Sequence, residues 1–190
     1  MVSEHEHKLI VKLAKHIQNQ KIEITEDFVL EKLKDNRRWP WKYSEGQDTV
    51  GLISNFYPEI MYKPFFKNGY LDYNEWKKFY DLGYTSIISN VFSTHEQLRE
   101  LHEYLLNNTG IFCSGNFYIS KGVGEQRPSF EGHIHEYSVI VKQIYGNGYW
   151  LVEGNEIILT PQQTLKIPAG AKHQLLEVKE PKLSLTINLL

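Results

Sequence analysis

The sequence predicts a mainly β protein, a double-stranded β-helix or jelly roll with an N-terminal helical appendage. Apolar residues recur at helical spacing through the first 34 residues, whereas short β-forming runs follow one another from residue 111 to the end. Tight-turn sequences such as Gly146-Asn147-Gly148 separate those runs, and many short strands after one helix are typical of a double-sheet jelly roll. We place the appendage at residues 1–45 and the jelly-roll domain at 46–190.

Two amphipathic helices are predicted in the appendage. The first covers about residues 4–19, because Ser3 and Glu6 have capping-box spacing ahead of apolar residues three and four apart. Thr25 is positioned to cap a second helix that ends near Lys34. A linker follows in which Pro40 interrupts the helical pattern, and we expect its tryptophans, Trp39 and Trp41, to pin it to the main body.

The jelly-roll part begins with elements of mixed type. A short helix is expected over residues 73–80 and a strand over 83–92, and Thr94 with Gln97 is expected to cap a helix that ends at Gly110. Seven strands then follow, at about residues 111–120, 130–144, 149–153, 156–159, 164–167, 174–178 and 183–189.

Composition narrows the class of protein. The 190 residues suit one well-buried domain with a small appendage, and a net charge of -2 gives no electrostatic case for nucleic acid. The N-terminal stretch is charged and has no long apolar run, so we expect neither a signal peptide nor membrane association. The single cysteine, Cys113, suits a small core residue and fits the reducing cytoplasm, where we expect the protein to be located.

Three histidines have the spacing of a metal site. His133 and His135 lie two apart in a β-forming run, so both side chains are expected on one face of a strand. His173 ends the turn sequence Pro168-Ala-Gly170-Ala-Lys-His173, which is expected to aim it inward. Glu131 is an alternative ligand, because it precedes His133 by two residues. The plainer interpretation is a set of core or surface histidines that bind no metal.

Three neutral imidazoles suit an open rather than a closed metal site. An ion that prefers six ligands keeps three positions for substrate and dioxygen. A closed structural zinc site needs a fourth protein ligand, usually Cys, and the sequence offers none nearby.

The histidine motifs resemble those of the cupin superfamily. Its first motif is His-x-His followed by Glu and then Gly, and its second is Pro-x-Gly-x-x-His. Here His133-Ile-His135, Gly146 and the segment 168–173 match, while Val139 and Ile140 stand where the Glu of a cupin is expected.

A closer resemblance, to JmjC-type oxygenases of the ribosomal oxygenase and asparaginyl hydroxylase branches, covers residues 83–190. The matching motifs follow one another in the order of that family: Gly83-Tyr-Thr85, Asn116-Phe-Tyr118-Ile-Ser120, His133-Ile-His135, Gln143-Ile-Tyr-Gly146, Trp150, Ile167-Pro168, His173 and Asn188. The resemblance implies Fe(II) held by His133, His135 and His173, with 2-oxoglutarate as co-substrate. It also implies a co-substrate or substrate pocket lined by Asn116, Tyr118, Gln143 and Asn188.

Two departures from that family affect the co-substrate. His135 replaces the usual aspartate, which removes one negative charge from the ligand set. In that family a lysine binds the distal carboxylate of 2-oxoglutarate, and Gly148 stands at the position of this lysine here. A buried carboxylate would therefore need another cation. Lys142 is expected on the opposite sheet face, which leaves Lys166, Arg127 and Lys172 as candidates.

These patterns favour a non-haem Fe(II) dioxygenase that oxidises a small molecule or a peptide side chain, with 2-oxoglutarate use left open. The alternatives are a three-His cupin enzyme that uses Zn, Ni or Mn for isomerisation or hydrolysis, and a cupin that binds a ligand without catalysis. Tyr104 and Leu101, or the N-terminal helices, could build a homodimer contact.

Overall fold

A computed structural model describes residues 4–34, 50–53, 65–67, 70–122 and 131–190. The predictions that concern Ser3, Trp39, Trp41, Arg127 and the domain boundary after residue 45 lie outside the described residues.

The helices form where their apolar spacing predicts them. They are α1 (Glu4–Asn19), α2 (Glu26–Lys34), α3 (Tyr73–Asp81) and α4 (Glu96–Thr109), and a 3-10 turn covers Val91–Ser93. Thr25 caps α2 as predicted, because its Oγ1 accepts a hydrogen bond from the Phe28 backbone N–H at 3.2 Å. None of the described helices has the length and apolar character needed to cross a membrane.

Eleven strands are described, most of them where alternation predicts them. They are β1 (Val50–Ile53), β2 (Phe66–Lys67), β3 (Tyr70–Leu71), β4 (Thr85–Ser89), β5 (Cys113–Ser120), β6 (Ser138–Tyr145), β7 (Gly148–Val152), β8 (Asn155–Leu159), β9 (Thr164–Ile167), β10 (His173–Glu177) and β11 (Lys182–Leu189). A six-stranded antiparallel sheet has the order β1-β4-β5-β11-β6-β9, and a three-stranded sheet has the order β10-β7-β8. β2 and β3 form a separate hairpin. The predicted mainly β jelly roll with additional helices is confirmed.

Side-chain alternation divides the interior into two cores. The larger core lies between the helices and one face of the six-stranded sheet, where β11 contributes Leu183, Leu185 and Ile187. Cys113 is buried in this core, as predicted, and burial raises the pKa of its thiol to about 11. The smaller core lies between the two sheets and is built from aliphatic residues such as Val139. The opposite face of β11 therefore looks into the space between the sheets.

The strand predicted from residue 130 is shorter than expected. Within the described residues it begins at Ser138, and residues 131–137 contain only an isolated bridge between His133 and His173. The physical reason is a change of partner: His133 pairs with β10 of the smaller sheet, whereas β6 pairs with β9 and β11 of the larger one. A segment that passes from one sheet to the other cannot keep a continuous ladder of backbone hydrogen bonds with a single neighbouring strand.

The predicted cap of α4 is also displaced by one residue. His95 is the N-cap, and its Nδ1 accepts a hydrogen bond from the Gln97 backbone N–H at 3.3 Å. Thr94 instead donates from Oγ1 to the Val91 carbonyl at 2.6 Å and so closes the 3-10 turn. Thr94 is therefore not the cap, because its hydroxyl bonds to the turn before the helix. Gly110 ends α4 at a φ of 65°, as its position predicts.

Gln162 joins the chain between α1 and α2 to the six-stranded sheet. Its side-chain amide donates to the carbonyls of Ile22 and Ile144 at 3.0 and 3.1 Å, and its Oε1 accepts from the Ile22 N–H at 3.2 Å. We expect Gln162→Ala to lower the free energy of unfolding by about 1–3 kcal/mol, because it leaves part-buried backbone groups without a partner.

Urea unfolding measures this loss, with Gln163→Ala as the matched control. Gln163 is exposed and its side chain accepts one local bond, from the Thr160 N–H at 2.9 Å. Its replacement should change stability by less than about 0.5 kcal/mol. Equal effects of the two variants would contradict the role assigned to Gln162.

Candidate metal centre and cavity

Three histidine rings meet at one end of the space between the sheets. The ring centroids of His133 and His173 are 4.4 Å apart, and the ring of His135 lies 4.9 Å from that of His133 and 5.1 Å from that of His173. One nitrogen from each ring lies within 4.8 Å of the other two. The structure thus brings the three predicted ligands together, and their binding of a metal remains a prediction.

Backbone hydrogen bonds hold the three residues in place. His133 and His173 exchange two bonds, N–H to carbonyl, at 3.0 and 2.9 Å. The Gly170 N–H donates to the His135 carbonyl at 2.8 Å. Gly170 has a φ of 78°, a conformation that favours glycine, so the turn before His173 depends on this residue. The turn motif therefore fixes two of the candidate ligands at once.

Hydrogen bonds to carbonyls determine which ring nitrogen faces the cluster. The Nδ1 atoms of His133 and His173 lie 3.0 Å from the carbonyl oxygens of Glu131 and Ala171. A carbonyl only accepts, so each Nδ1 carries the proton and each Nε2 can offer its lone pair to an ion. The tautomer required for metal binding is thus set by the backbone.

Burial favours the neutral form of these rings. The pKa of His135 is lowered by burial, and further by the neighbouring His133 and His173. Burial also lowers the pKa of His173, and this effect is larger than that of the hydrogen bond to Ala171, which raises the pKa. Metal ligands must be deprotonated, so both shifts act in the direction that an ion requires.

Glu131 does not contribute its carboxylate to this cluster. Its side chain is exposed, and the described group of candidate ligands consists of the three histidines. The expectation that Glu131 shares the face of His133 assumed a strand that has already begun. The strand starts later, so Glu131 supplies its carbonyl to His133 Nδ1 instead.

A cavity of about 190 Å³ extends from the histidines between the two sheets. Its polar wall comes from β5 and β11, and its apolar wall comes mainly from β6, β9 and β10. Asn116, Tyr118 and Asn188 line the cavity, where the family resemblance places them. Burial raises the pKa of Tyr118 to about 12, so its phenol is a neutral hydrogen-bond donor or acceptor.

Gln143 lies behind the cavity wall rather than in it. It is fully buried and is absent from the residues that line the cavity. Its Oε1 accepts a hydrogen bond from Ser184 Oγ at 2.8 Å, and its Nε2 donates to the Tyr145 carbonyl at 2.8 Å. Gln143 therefore bonds to Ser184, which lines the cavity, and does not itself line the cavity as the resemblance implied.

Among the described residues, the cation that lines the cavity is Lys182, which the sequence analysis did not predict. Lys142 lies on the helix side of the sheet, as alternation predicts, and donates to the carbonyls of Gln18 and Gln162 at 3.2 and 2.6 Å. Lys166 and Lys172 do not line the cavity. The detectable signal was period-two alternation along β11, which places Lys182 on the cavity face that also carries Asn188.

The positions of Lys166 and Lys172 explain why neither side chain reaches the cavity. Lys166 lies between Leu165 and Ile167, which face the smaller core, so its side chain takes the other face of β9. Lys172 is exposed and lies beside Gly132.

Gly148 leaves room for the indole of Trp150. A Cβ atom at Gly148 would lie 2.8 Å from Trp150 Nε1 and 3.1 Å from Gln143 Oε1. A lysine at this position would therefore displace the indole. The glycine and the cation on β11 together give the cavity a different arrangement from the one that the resemblance implied.

Comparisons with known proteins find solved structures that are similar to part of the chain. No family model and no curated protein matches the sequence. One similar structure is an RmlC-like cupin from Shewanella frigidimarina NCIMB 400. The match covers 40% of this chain and 65% of the cupin, with 13% identity and a TM-score of 0.35. A cupin superfamily protein from Desulfitobacterium hafniense DCB-2 matches 41% of this chain with 67% of its own, at 15% identity and a TM-score of 0.36.

A third similar structure is the DMSP lyase DddQ from Ruegeria pomeroyi DSS-3. It covers 41% of this chain, with 20% identity and a TM-score of 0.36, and the match spans 38% of the lyase. The similar structures thus include two cupins and a lyase.

Proposed function

We propose that the protein is a non-haem Fe(II)-dependent dioxygenase of the cupin or JmjC-like type. The observation that supports this most directly is the group of three imidazole nitrogens within 4.8 Å at the end of a cavity. Iron bound by these residues would supply the activation of dioxygen, with coordination positions left for a substrate. The proposed substrate is a small molecule, or a peptide side chain that enters the cavity.

The chain itself would hold, orient and shield the reacting groups. The carbonyls of Glu131 and Ala171 fix the rings of His133 and His173 through Nδ1. Tyr137 stacks on His135, with ring centroids 4.8 Å apart and an interplanar angle of 11°. The aliphatic wall gives the space beside the histidines an apolar lining, and Asn116 and Asn188 offer amide groups that can orient a bound molecule.

One observation favours a second candidate function. The described cluster contains three histidines and no carboxylate, a donor set that also suits a catalytic zinc ion in an isomerase or a hydrolase. In that function the ion would polarise a substrate oxygen as a Lewis acid, and turnover would not consume dioxygen.

Anaerobic titration with Fe(II) tests the proposal. We expect one equivalent of iron per chain, and dioxygen uptake on exposure to air with a substrate. Addition of 2-oxoglutarate shows whether it is a co-substrate, because chelation of iron by the keto acid gives a weak visible charge-transfer band. Failure to bind iron would refute the proposed function, and metal-dependent turnover without dioxygen would favour the second candidate.

A further inference from the structure

Two exposed apolar side chains lie side by side at one end of the six-stranded sheet. Phe112 and Leu190 are among the most exposed large apolar residues of the described chain, at 65% and 53%. The Leu190 backbone N–H donates to the Phe112 carbonyl at 2.9 Å, so the two residues form an opposed pair that extends the ladder between β5 and β11. Side chains of such a pair lie on one face of a sheet, about 4.5–5.5 Å apart. Scattered exposed apolar residues are ordinary, whereas an adjacent pair is not.

Strand register places this pair on the cavity side of the sheet. Phe112 precedes Ser114 by two positions, so the two side chains share a face. In the same way Leu190 shares a face with Asn188. Asn188 lines the cavity and donates from Nδ2 to Ser114 Oγ at 3.2 Å, so this is the cavity face. Cys113, between Phe112 and Ser114, is buried in the core on the helix side, as alternation requires.

Tyr137 connects the exposed pair to the histidines. β11 lies between β5 and β6, and the register of β6 on β11 places Tyr137 opposite Leu190. Tyr137 lines the cavity, packs against the aliphatic core between the sheets, and stacks on the ring of His135. Neighbouring strands lie about 4.7–4.9 Å apart, so the row from Tyr137 through Leu190 to Phe112 spans about 10 Å. One end of this row is therefore in contact with a candidate metal ligand.

The polarity of the cavity face changes at this row. Farther inside, the cavity face of β11 carries Asn188, Thr186 and Ser184, and that of β5 carries Asn116. These side chains are polar, whereas the next position outward on each strand is the apolar pair. A bound molecule would therefore meet polar groups and the histidines inside the cavity and an apolar surface at its mouth.

The size of the row favours a small molecule over a protein partner. A standard protein interface buries about 800 Å² on each side, whereas an aromatic side chain contributes about 150–250 Å² even when it is fully buried. Three side chains that are already partly covered fall short of that area. The cavity volume of about 190 Å³ is also below the range of about 300–1,000 Å³ that is usual for drug-sized ligands. A ligand of that size would have to extend past the histidines onto the row.

We propose that Phe112, Leu190 and Tyr137 form an apolar entry surface that binds the alkyl or aryl part of an amphipathic small-molecule substrate. The polar end of that molecule would enter the cavity and reach the histidines, while its apolar part lies on the entry surface. Phe112 and Leu190 then determine specificity, because a longer apolar group buries more of its area against them. The entry surface deepens the proposed function, rests on it for the role of the metal, and selects a small molecule over a peptide side chain.

Binding of straight-chain hydroxamic acids, from acetohydroxamic to octanohydroxamic acid, to the Fe(II)-loaded protein tests the entry surface. The hydroxamate chelates the ion while the alkyl chain extends outward, and anaerobic calorimetry measures each affinity. A fully buried methylene adds about fourfold in affinity, so a chain that lies on an open surface should add about twofold per methylene. We expect octanohydroxamic acid to bind at least about tenfold more tightly than acetohydroxamic acid.

Phe112→Ser should keep one equivalent of iron and flatten this dependence on chain length, so that its loss of affinity grows with the chain. Ile158→Ser is the matched control. Ile158 is 60% exposed, and its neighbour Leu159 belongs to the core between the sheets, so Ile158 points away from the cavity. The control should keep the dependence on chain length of wild type. If Phe112→Ser does not fold, Leu190→Ser decides.

The failures of the two proposals are distinguishable. A protein that binds no iron refutes the dioxygenase, and straight-chain alcohols from butanol to octanol then test the entry surface on the metal-free protein. A gain in affinity with chain length that Phe112→Ser removes would support the entry surface there, and a gain that persists in this variant would overturn it.

Two results with the iron-loaded protein would overturn the entry surface and leave the metal centre intact. The first is an affinity for hydroxamic acids that does not rise with chain length in wild type, or that rises equally in Phe112→Ser. The second is a dimer, detected by sedimentation, that Phe112→Ser dissociates, because the exposed pair would then bind a second copy of the chain.

Discussion

Replacing His173 by alanine is expected to abolish stoichiometric Fe(II) binding, with a loss of affinity of more than about 100-fold. Changes to groups that merely support a metal ligand already cost about 10–100-fold, and this variant removes a ligand itself. His173 is the most buried of the three histidines, at 4% exposure, and its Nε2 is turned to the cluster by the Nδ1 bond to Ala171. Metal analysis after anaerobic loading and desalting measures the stoichiometry.

The fold should survive this substitution, because the bonds between His173 and His133 join backbone atoms that alanine retains. Far-UV circular dichroism checks the fold. His95→Asn is the matched control: His95 caps α4 outside the cavity, and asparagine is itself a favoured N-cap. That control should bind one equivalent of iron. A His173→Ala variant that binds iron as tightly as wild type would show that the ion is held elsewhere.

Local patterns were sufficient to predict the candidate ligands and most of the elements. The turn before His173 is encoded in six consecutive residues, and its outcome depends on the positive φ that Gly170 adopts. The apolar alternation of Leu183, Leu185 and Ile187 likewise identifies β11 without knowledge of its neighbours. In such cases the physical cause of the structure lies within the segment itself.

The predictions that failed depended on pairing between distant segments. Residues 131–137 have β-forming composition, but the chain changes sheets there, and no local signal reports that change. The prediction that the side chain of Glu131 shares the face of His133 depended on the same continuous strand. Lys182 was not among the cations predicted for the cavity, which were Lys166, Arg127 and Lys172. The cavity gathers side chains from strands far apart in sequence, and spacing along the chain does not report which of them meet.

The second large effect, on stability, is expected at Trp76, which joins α3 to the six-stranded sheet through packing and a hydrogen bond. Its side chain is fully buried, its Nε1 donates to Ser86 Oγ at 3.0 Å, and its ring stacks on Tyr80 with centroids 5.0 Å apart. Trp76→Ala should lower the free energy of unfolding by about 3–5 kcal/mol, because it removes this packing and leaves a cavity. Urea unfolding followed by circular dichroism measures the change.

Trp76→Phe separates packing from hydrogen bonding at this position. It keeps an aromatic ring against Tyr80 and loses the bond to Ser86, so a smaller loss of about 1–2 kcal/mol is expected. Trp76 does not line the cavity, so the folded phenylalanine variant should bind iron with the stoichiometry of wild type. A loss below about 1 kcal/mol in Trp76→Ala would mean that α3 is not packed on β4 in solution. Loss of iron from a fully folded Trp76→Phe would instead show that the helical layer determines the geometry of the three histidines.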